Sequence, residues 1–232
     1  KKVLATILAL VMALGVTTAA WAAQPTPPAV AEMGVTTYND LHTALEAAKN
    51  GGTVKLLRDV ELTDTWTPVG DSTTPFKGTF DGDGHKITGL EITSGSYIGL
   101  FGYVGEGATI KDVNLVGANV FGVKRVGALI GQIKGNATVS NCTVDSTSHV
   151  TGSDSNTGGL IGEAAGGTVK LEKLINYATV MNMESEGPSR AAGIIAQVTR
   201  GANVTITKCV NNGAITTNNG YAGGIVAAKQ GG

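Results

Sequence analysis

The sequence is poor in the residues that mark several common protein classes. Aromatic residues make up 5% and charged residues 15% of its 232 residues, and there are only two cysteines, Cys142 and Cys209. A net charge of −1 provides no basic surface of the kind that binds nucleic acid or an anionic membrane. We therefore expect no nucleic-acid partner.

Proline is absent from a long central segment. None occurs between Pro75 and Pro188. Proline has no backbone N–H to donate to a neighbouring strand, so central strands exclude it. Glycine is plentiful, with 34 residues, and suits tight turns and closely stacked strands. This composition favours continuous β-ladders over a helical domain.

The longest apolar run lies at the start of the chain. Lys1 and Lys2 precede the apolar residues 3–16, and Ala20-Trp21-Ala22 forms a small-x-small cleavage site. The run is short for a bilayer span. We predict a signal peptide over residues 1–22, with an uncleaved membrane anchor as the alternative. Cleavage would leave no membrane span, 15 basic and 18 acidic residues, and a net charge of −3. The predicted localisation is secreted or cell surface, an oxidising environment for the cysteines.

A six-residue glycine motif occurs five times in the remaining chain. Its pattern is a variable residue, two residues that are usually Gly or Ala, Leu or Ile, a bulky apolar residue, and Gly or Ala. The copies are Tyr97–Gly102, Val126–Gly131, Thr157–Gly162, Ala191–Ala196 and Ala222–Ala227. Their last residues are spaced by 29, 31, 34 and 31. A period near thirty without a helical pattern predicts a stacked solenoid.

Four rows of residues recur at fixed offsets after the motif. The rows are Ile110/Val139/Leu171/Ile206, Val113/Cys142/Leu174/Cys209, Leu115/Val144/Asn176/Asn211 and Val120/Val150/Val180/Ile215. Stacked parallel strands lie about 4.8 Å apart, so each row should form a vertical column. The first two should form core, and Asn176 with Asn211 should form an Asn ladder that stabilises a turn. A ligand site is the alternative for that asparagine pair.

The columns also predict the state of the cysteines. Cys142 and Cys209 fall in one column, two coils apart, with Leu174 between them. Their separation of about 9–10 Å exceeds the roughly 7 Å that a disulfide tolerates. We predict two free, buried thiols.

The chain divides into four predicted segments. After the signal peptide come a Pro-rich leader (23–34), a capping helix with the first strands (35–62), and a solenoid (63–232) that we expect to continue beyond the chain end. Asn39 or Asp40 can cap the helix, and Gly51-Gly52 can end it. The apolar stripe of the helix, which would cover the first coil, consists of Leu41, Ala44, Leu45 and Ala48.

Several segments resemble a known repeat family. Gly158-Gly-Leu-Ile-Gly162 and Gly223-Gly-Ile-Val-Ala227 resemble the GLUG motif of bacterial secreted and surface proteins, which include adhesin-like repeats and parts of some immunoglobulin-A metallopeptidases. The segment 78–90 resembles the lead-in to such repeats, and 141–144 and 208–215 resemble their linking segments. The resemblance implies a right-handed parallel β-helix over about 53–232, an all-β fold. It implies no activity, because the motif is structural and the zinc-binding His-Glu-x-x-His of the peptidases is absent from the sequence.

Few residues suggest chemistry. Asp81 and Asp83, on a Gly-rich turn, could bind calcium, but they lack the further ligands of known calcium loops, and a hairpin-like turn is the preferred interpretation. The acids Asp112, Asp145, Glu163 and Glu172 recur in no common column, whereas a polysaccharide lyase or hydrolase needs clustered acids or bases. We therefore predict no enzyme, catalytic residue, resident metal or cofactor.

The predicted function is an extracellular structural or adhesive repeat module with a protein or glycan partner. A carbohydrate-active β-helix is the alternative. The fifth motif residues, Phe101, Ile130, Ile161, Ile195 and Val226, should form one apolar stripe. Because strand neighbours point to opposite faces, one of the two apolar columns must leave the interior unless the local glycines bend the strand. The stripe is therefore either core, which we prefer, or a partner surface. If it is core, the fourth residues, Leu100, Leu129, Leu160, Ile194 and Ile225, should lie near the outer turn.

Overall fold

A computed structural model describes residues 28–230. The predicted signal peptide and the first part of the leader lie outside this range. The described chain contains one short helix and 28 strands. Among these residues, no helix has both the length and the hydropathy of a membrane span.

The elements follow one another in a regular order. The helix is α1, Leu41–Ala47. The first strands are β1 Ala31–Met33, β2 Thr36–Tyr38, β3 Thr53–Leu56, β4 Val60–Glu61, β5 Thr79–Asp81, β6 Lys86–Thr88, β7 Glu91–Ile92 and β8 Phe101–Val104. The next two coils contain β9 Ala108–Lys111, β10 Asn114–Val116, β11 Asn119–Gly122, β12 Val126–Gly127, β13 Ile130–Ile133, β14 Ala137–Ser140, β15 Thr143–Val144, β16 His149–Gly152, β17 Asn156–Gly158 and β18 Ile161–Ala164. The last two contain β19 Gly167–Glu172, β20 Ile175–Asn176, β21 Thr179–Asn182, β22 Ser189–Ala192, β23 Ile195–Val198, β24 Ala202–Thr207, β25 Val210–Asn211, β26 Ile215–Thr217, β27 Gly220–Gly223 and β28 Val226–Lys229.

These strands form five sheets, and every complete coil contributes one strand to each sheet in the same order. We name them sheets I to V: the strand orders are β2-β1-β3-β5-β9-β14-β19-β24 (I), β4-β6-β10-β15-β20-β25 (II), β7-β11-β16-β21-β26 (III), β12-β17-β22-β27 (IV) and β8-β13-β18-β23-β28 (V). All pairings are parallel except those that β1 makes with β2 and β3. The predicted all-β parallel β-helix is therefore confirmed, with about five stacked turns.

The predicted rows are columns in the structure. Register pairs join Ile110, Val139, Leu171 and Ile206 in sheet I. The third and fourth rows are register columns in sheets II and III. The cysteine row lies at the corner between sheets I and II, directly after non-glycine residues with left-handed backbone. Those residues are Asp112, Asn141, Lys173 and Lys208, with φ of 57°, 52°, 52° and 55°.

Both cysteines are free, as predicted, but only one is buried. Cys142 is buried, whereas Cys209 is half-buried because no described coil follows it. Burial raises the pKa of the Cys142 thiol to about 12. The prediction of two buried thiols is therefore corrected for Cys209.

The N-terminal end is closed by α1 and a small hairpin. Asp40 caps the helix, accepting a hydrogen bond of 2.6 Å from the backbone N–H of Thr43. The predicted apolar stripe of the helix is buried against the first coil. The helix ends at Ala47, earlier than Gly51-Gly52, although both glycines have positive φ. Residues 31–33 of the predicted leader form the strand β1, so the leader is partly folded.

The two apolar columns of the glycine motif are both interior. Phe101, Ile130, Ile161 and Ile195 are fully buried in register, and Val226 is half-buried in the last coil. This stripe is therefore core and offers no partner surface. The neighbouring column of Leu100, Leu129, Leu160 and Ile194 is also buried, which corrects the prediction that it lies near the outer turn.

A bend within the motif explains why both columns are buried. Strand β12 ends at Gly127 and strand β13 begins at Ile130, so Ala128 and Leu129 connect two different sheets. The alternation of side chains along one strand does not extend across such a corner.

The segment around Asp81 and Asp83 is also a corner. Strands β5 and β6 belong to sheets I and II, so the Asp-Gly sequence joins two sheets and does not form a hairpin. Asp83 and Gly84 adopt positive φ there, at 50° and 77°.

Candidate binding site on the solenoid flank

Two columns of mostly polar side chains face each other where sheets IV and V meet. The arginine column lies at the start of sheet IV, either just before a strand or at its first or second residue. Its members are Tyr97, Arg125, Asn156, Arg190 and Tyr221. The glutamine column consists of Tyr103, Gln132, Glu163, Gln197 and Ala228 in sheet V. The bend in the glycine motif brings the two columns together, because it folds sheet IV towards sheet V.

Glu163 is the centre of the contacts between the columns. Its Oε1 lies 3.0 Å from Arg125 Nε and accepts a hydrogen bond of 2.6 Å from Gln132 Nε2. Its Oε2 accepts a hydrogen bond of 2.9 Å from Asn156 Nδ2. The side chain of Glu163 is 3% exposed. A carboxylate this deeply buried requires such partners, because an unpaired buried charge is strongly unfavourable.

The network extends to the next coil. Asn156 Nδ2 also donates to Gln197 Oε1 at 2.7 Å. Gln132, Asn156 and Gln197 are themselves buried. Networks of this kind hold a single arrangement, since losing one partner leaves the others unsatisfied.

The first coil places two tyrosines at the end of this network. The rings of Tyr97 and Tyr103 stack with centroids 4.6 Å apart and planes inclined by 22°. Arg125 Cζ lies 4.7 Å from the Tyr97 centroid, and its Nη1 donates to the Tyr97 hydroxyl at 3.0 Å. Burial, together with the interaction with Tyr97, raises the pKa of Tyr103. A tyrosine hydroxyl is protonated at neutral pH even without this shift, so it can donate a hydrogen bond.

A cleft of about 430 Å³, which we call the flank cleft, lies beside these residues. Tyr103, Gln132 and Glu163 line it, with Tyr97 and Arg125 also contributing. Lys134, Ala165 and Thr199, the residues that directly follow three sheet V strands, line it too, as do Ser72 and Pro75 from an earlier loop. The flank cleft falls within the range of about 300–1,000 Å³ typical of ligand sites.

A second cleft, of about 470 Å³, lies next to α1. It contains His42 and Trp66, whose rings make an edge contact with centroids 5.1 Å apart. Trp66 is 7% exposed, and its Nε1 donates to the backbone oxygen of Leu100 at 2.9 Å. The Trp66 side chain therefore links the cap to the first coil.

The calcium candidates pair with lysines. Asp81 forms an ion pair with Lys111, and Asp83 Oδ2 lies 3.0 Å from Lys55 Nζ. These contacts form an ion-pair ladder on sheet I, and calcium binding there stays an untested alternative. Within residues 28–230, no cluster of three or more His, Cys, Asp or Glu side chains could hold a metal ion.

The asparagine ladder has the predicted structural form. Asn176 is buried, and its Nδ2 donates to Asn211 Oδ1 at 2.8 Å and to the backbone oxygen of Ala178 at 3.1 Å. The amides thus bind one another and the adjoining turn, as a turn-stabilising ladder requires.

Sequence reasoning missed the two flanking columns. Each column mixes residue types, so no repeated letter marks it. One signal was present: Tyr103, Gln132, Glu163 and Gln197 each directly follow a copy of the glycine motif. The arginine column was harder to find, because its members do not all hold the same place relative to the motif. Tyr97 is the first residue of its copy, whereas the other members directly precede theirs. Ile98, the second residue of the first copy, pairs with Val126, the first residue of the next copy.

Comparisons with known proteins support the fold and leave the activity open. No protein-family model matches the chain, so its GLUG resemblance stays a prediction. A solved structure described as a putative immunoglobulin A1 protease from Bacteroides ovatus is similar, with a TM-score of 0.63 and 24% identity over 78% of this chain and 56% of that one. At that identity the similarity concerns the fold alone.

Two curated proteins match parts of the chain. One, named a putative Gly-rich membrane protein, from Evansella cellulosilytica, is 35% identical over 102 residues, 39% of this chain and 12% of its own length. The other, halomucin from Haloquadratum walsbyi, is 32% identical over 119 residues, 45% of this chain and 1% of its own length. The chain therefore corresponds to a small part of either relative.

Proposed function

We propose that this chain is a non-catalytic structural or adhesive solenoid module of a secreted or cell-surface protein, with a glycan or protein as partner. The observation that carries the proposal is the state of Glu163, the one carboxylate among the residues that line the flank cleft. Both of its oxygens are already occupied by protein donors.

This arrangement argues against the hydrolase form of the rival function, a carbohydrate-active enzyme. Glycoside hydrolysis generally uses two carboxyl groups, about 5–9.5 Å apart, one of which gives or takes a proton. The flank cleft has one, buried among Arg125, Gln132 and Asn156. Its role is that of an acceptor which holds neighbouring coils in place.

The proposed localisation of the protein is inferred from its N-terminal sequence. The pattern of Lys1 and Lys2, an apolar run and Ala20-Trp21-Ala22 supports export. The names of the two curated relatives, a putative Gly-rich membrane protein and halomucin, are compatible with a surface role.

A combined binding and turnover experiment tests the proposal. The labelled chain is applied to arrays of polysaccharides and glycoproteins, including immunoglobulin A1, and the same materials are incubated with it and assayed for new reducing ends or peptide fragments. We expect binding to at least one material and turnover of none. Absence of any binding would contradict the adhesive role.

Turnover would contradict the non-catalytic role, and a matched pair of variants would locate it. Glu163→Gln removes the buried carboxylate, while Glu172→Gln changes an exposed carboxylate at the end of β19. Turnover lost only in Glu163→Gln would assign the activity to the flank cleft.

A further inference from the structure

We propose that the flank cleft binds a carboxylated saccharide unit, an inference that rests on the proposed adhesive function and names its ligand class. The cleft combines a floor of planar polar groups, two half-buried tyrosines and an excess of positive charge. Each of these features restricts the ligand in a different way.

The shape of the cleft fits a short chain of sugar units. Its floor is the glutamine column, in which Tyr103, Gln132 and Glu163 are contributed by three successive coils. Successive coils are about 4.8 Å apart, a distance close to the length of one pyranose unit in an extended polysaccharide. A saccharide lying along the solenoid axis could therefore present each successive ring to a successive coil.

The polarity of the cleft favours a hydroxyl-rich ligand. Tyrosine offers an apolar ring together with a hydrogen-bonding hydroxyl, which suits ligands that have both polar and apolar faces. The Ser72 and Thr199 hydroxyls line the same cleft and can each donate and accept. A purely apolar ligand would leave these groups without partners, at a cost in affinity.

The charges of the cleft favour an acidic ligand. Arg125 and Lys134 are its two cations, and Glu163 is its one acid. Glu163 is already the ion-pair partner of Arg125, at 3.0 Å. Lys134 is exposed and has no ion pair among the described residues. One positive charge is therefore available at the rim, where a ligand carboxylate would complete the balance.

A matched pair of ligands tests this inference. Trigalacturonic acid and its fully methyl-esterified form have the same sugar rings and differ in charge. Binding of each to the chain is measured by calorimetry and by NMR titration at low and at high salt. We expect tighter binding of the acid, with an affinity that falls as salt increases. Equal affinities for acid and ester, or no binding of either, would overturn the inference.

Variants then locate the site. Lys134→Gln should weaken binding of the acid roughly three- to fivefold and leave binding of the ester unchanged, because it removes an exposed charge and little packing. The matched control, Lys170→Gln, changes an exposed lysine on sheet I and should leave both affinities within about twofold. Tyr103→Phe keeps the stacked ring but removes the hydroxyl, so it should weaken the binding of both the acid and the ester. Unchanged acid binding in Lys134→Gln would overturn the inference.

The outcome separates this inference from the proposed function. If the chain adheres to arrayed glycans or proteins without turnover but does not bind the trisaccharide in this cleft, the ligand class is wrong and the adhesive module stands. If it turns the trisaccharide over, the non-catalytic function itself fails.

Discussion

Two residues of one column show how differently the middle and the last coil are packed. Leu171 in β19 and Ile206 in β24 are register partners in sheet I. Leu171 is 1% exposed, whereas Ile206 is half-buried. The two side chains have the same number of heavy atoms, so their different burial comes from what lies above them. Leu171 has a coil on either side, and Ile206 has one on a single side among the described residues.

The same contrast extends through the whole last coil. From residue 203 to residue 230, no side chain is fully buried, although the coil repeats the motif of the coils before it. In a solenoid, position in the repeat decides which way a residue points, and the neighbouring coils decide how much stability that residue contributes. Three predictions test this difference.

The largest expected effect is on the core column itself. Leu171→Ala should lower the free energy of unfolding by about 2–5 kcal/mol, because it leaves a cavity between two coils. Ile206→Ala should cost about 1 kcal/mol or less, since the side chain still contacts water in the folded state. Urea denaturation of both variants measures the difference. Equal costs would mean that burial in the last coil is greater in solution than in the structure.

A second, smaller effect is expected at the third residue of the glycine motif. A Cβ added at Gly159 would overlap the backbone oxygen of Gly193 in the next coil and the side chain of Asn176. The equivalent Gly224 in the last coil has no atom within 4 Å of such a Cβ. Gly159→Ala should therefore destabilise the protein by about 1–3 kcal/mol, as overpacked sites do.

Gly224→Ala is the matched control. It should be neutral or slightly stabilising, because alanine restricts the unfolded chain more than glycine does and meets no obstacle here. Thermal unfolding of the two variants side by side provides the comparison. A destabilising Gly224→Ala would indicate that another coil or partner covers this position.

The parts of the fold that could be predicted are those in which residue type repeats with the coil. Ile110, Val139 and Leu171 are all apolar, so their spacing alone is enough to predict the column. The free cysteines followed from the same register. These predictions needed only the period and the distance between stacked strands.

The parts that could not be predicted depend on local bends or on mixed columns. The prediction that the leucine column lies near the outer turn requires alternation along one strand to continue past Gly127, but the chain changes sheet there. The sequence leaves a bend at these glycines open and does not decide whether it occurs. The flank network combines Arg125, Asn156 and Glu163, which share no residue type. Only three-dimensional register shows that they meet.

The smallest expected effect is on the exposed ion-pair column of sheet I. Asp81 and Lys111 are register partners and form an ion pair, whereas Thr207 occupies the equivalent place in the last coil. Burial would raise the pKa of Asp81, but the hydrogen bond from Lys111 and the backbone N–H of Asp83 outweigh it and hold the pKa below its usual value. A lowered carboxylate pKa contributes stability at neutral pH that is lost as the pH falls through that pKa.

Lys111→Gln should therefore cost about 0.5 kcal/mol at pH 7, the magnitude of a partly exposed ion pair. The cost should shrink as the pH falls through the lowered pKa of Asp81, because protonation removes the negative charge that Lys111 pairs with. Urea denaturation at pH 7 and at a series of acidic pH values measures it, with Lys170→Gln as the control, since Lys170 has no ion pair within residues 28–230. A cost that persists undiminished in acid would show that Lys111 stabilises the sheet through the packing of its aliphatic stem, and that the charge contributes nothing measurable to the difference between the coils.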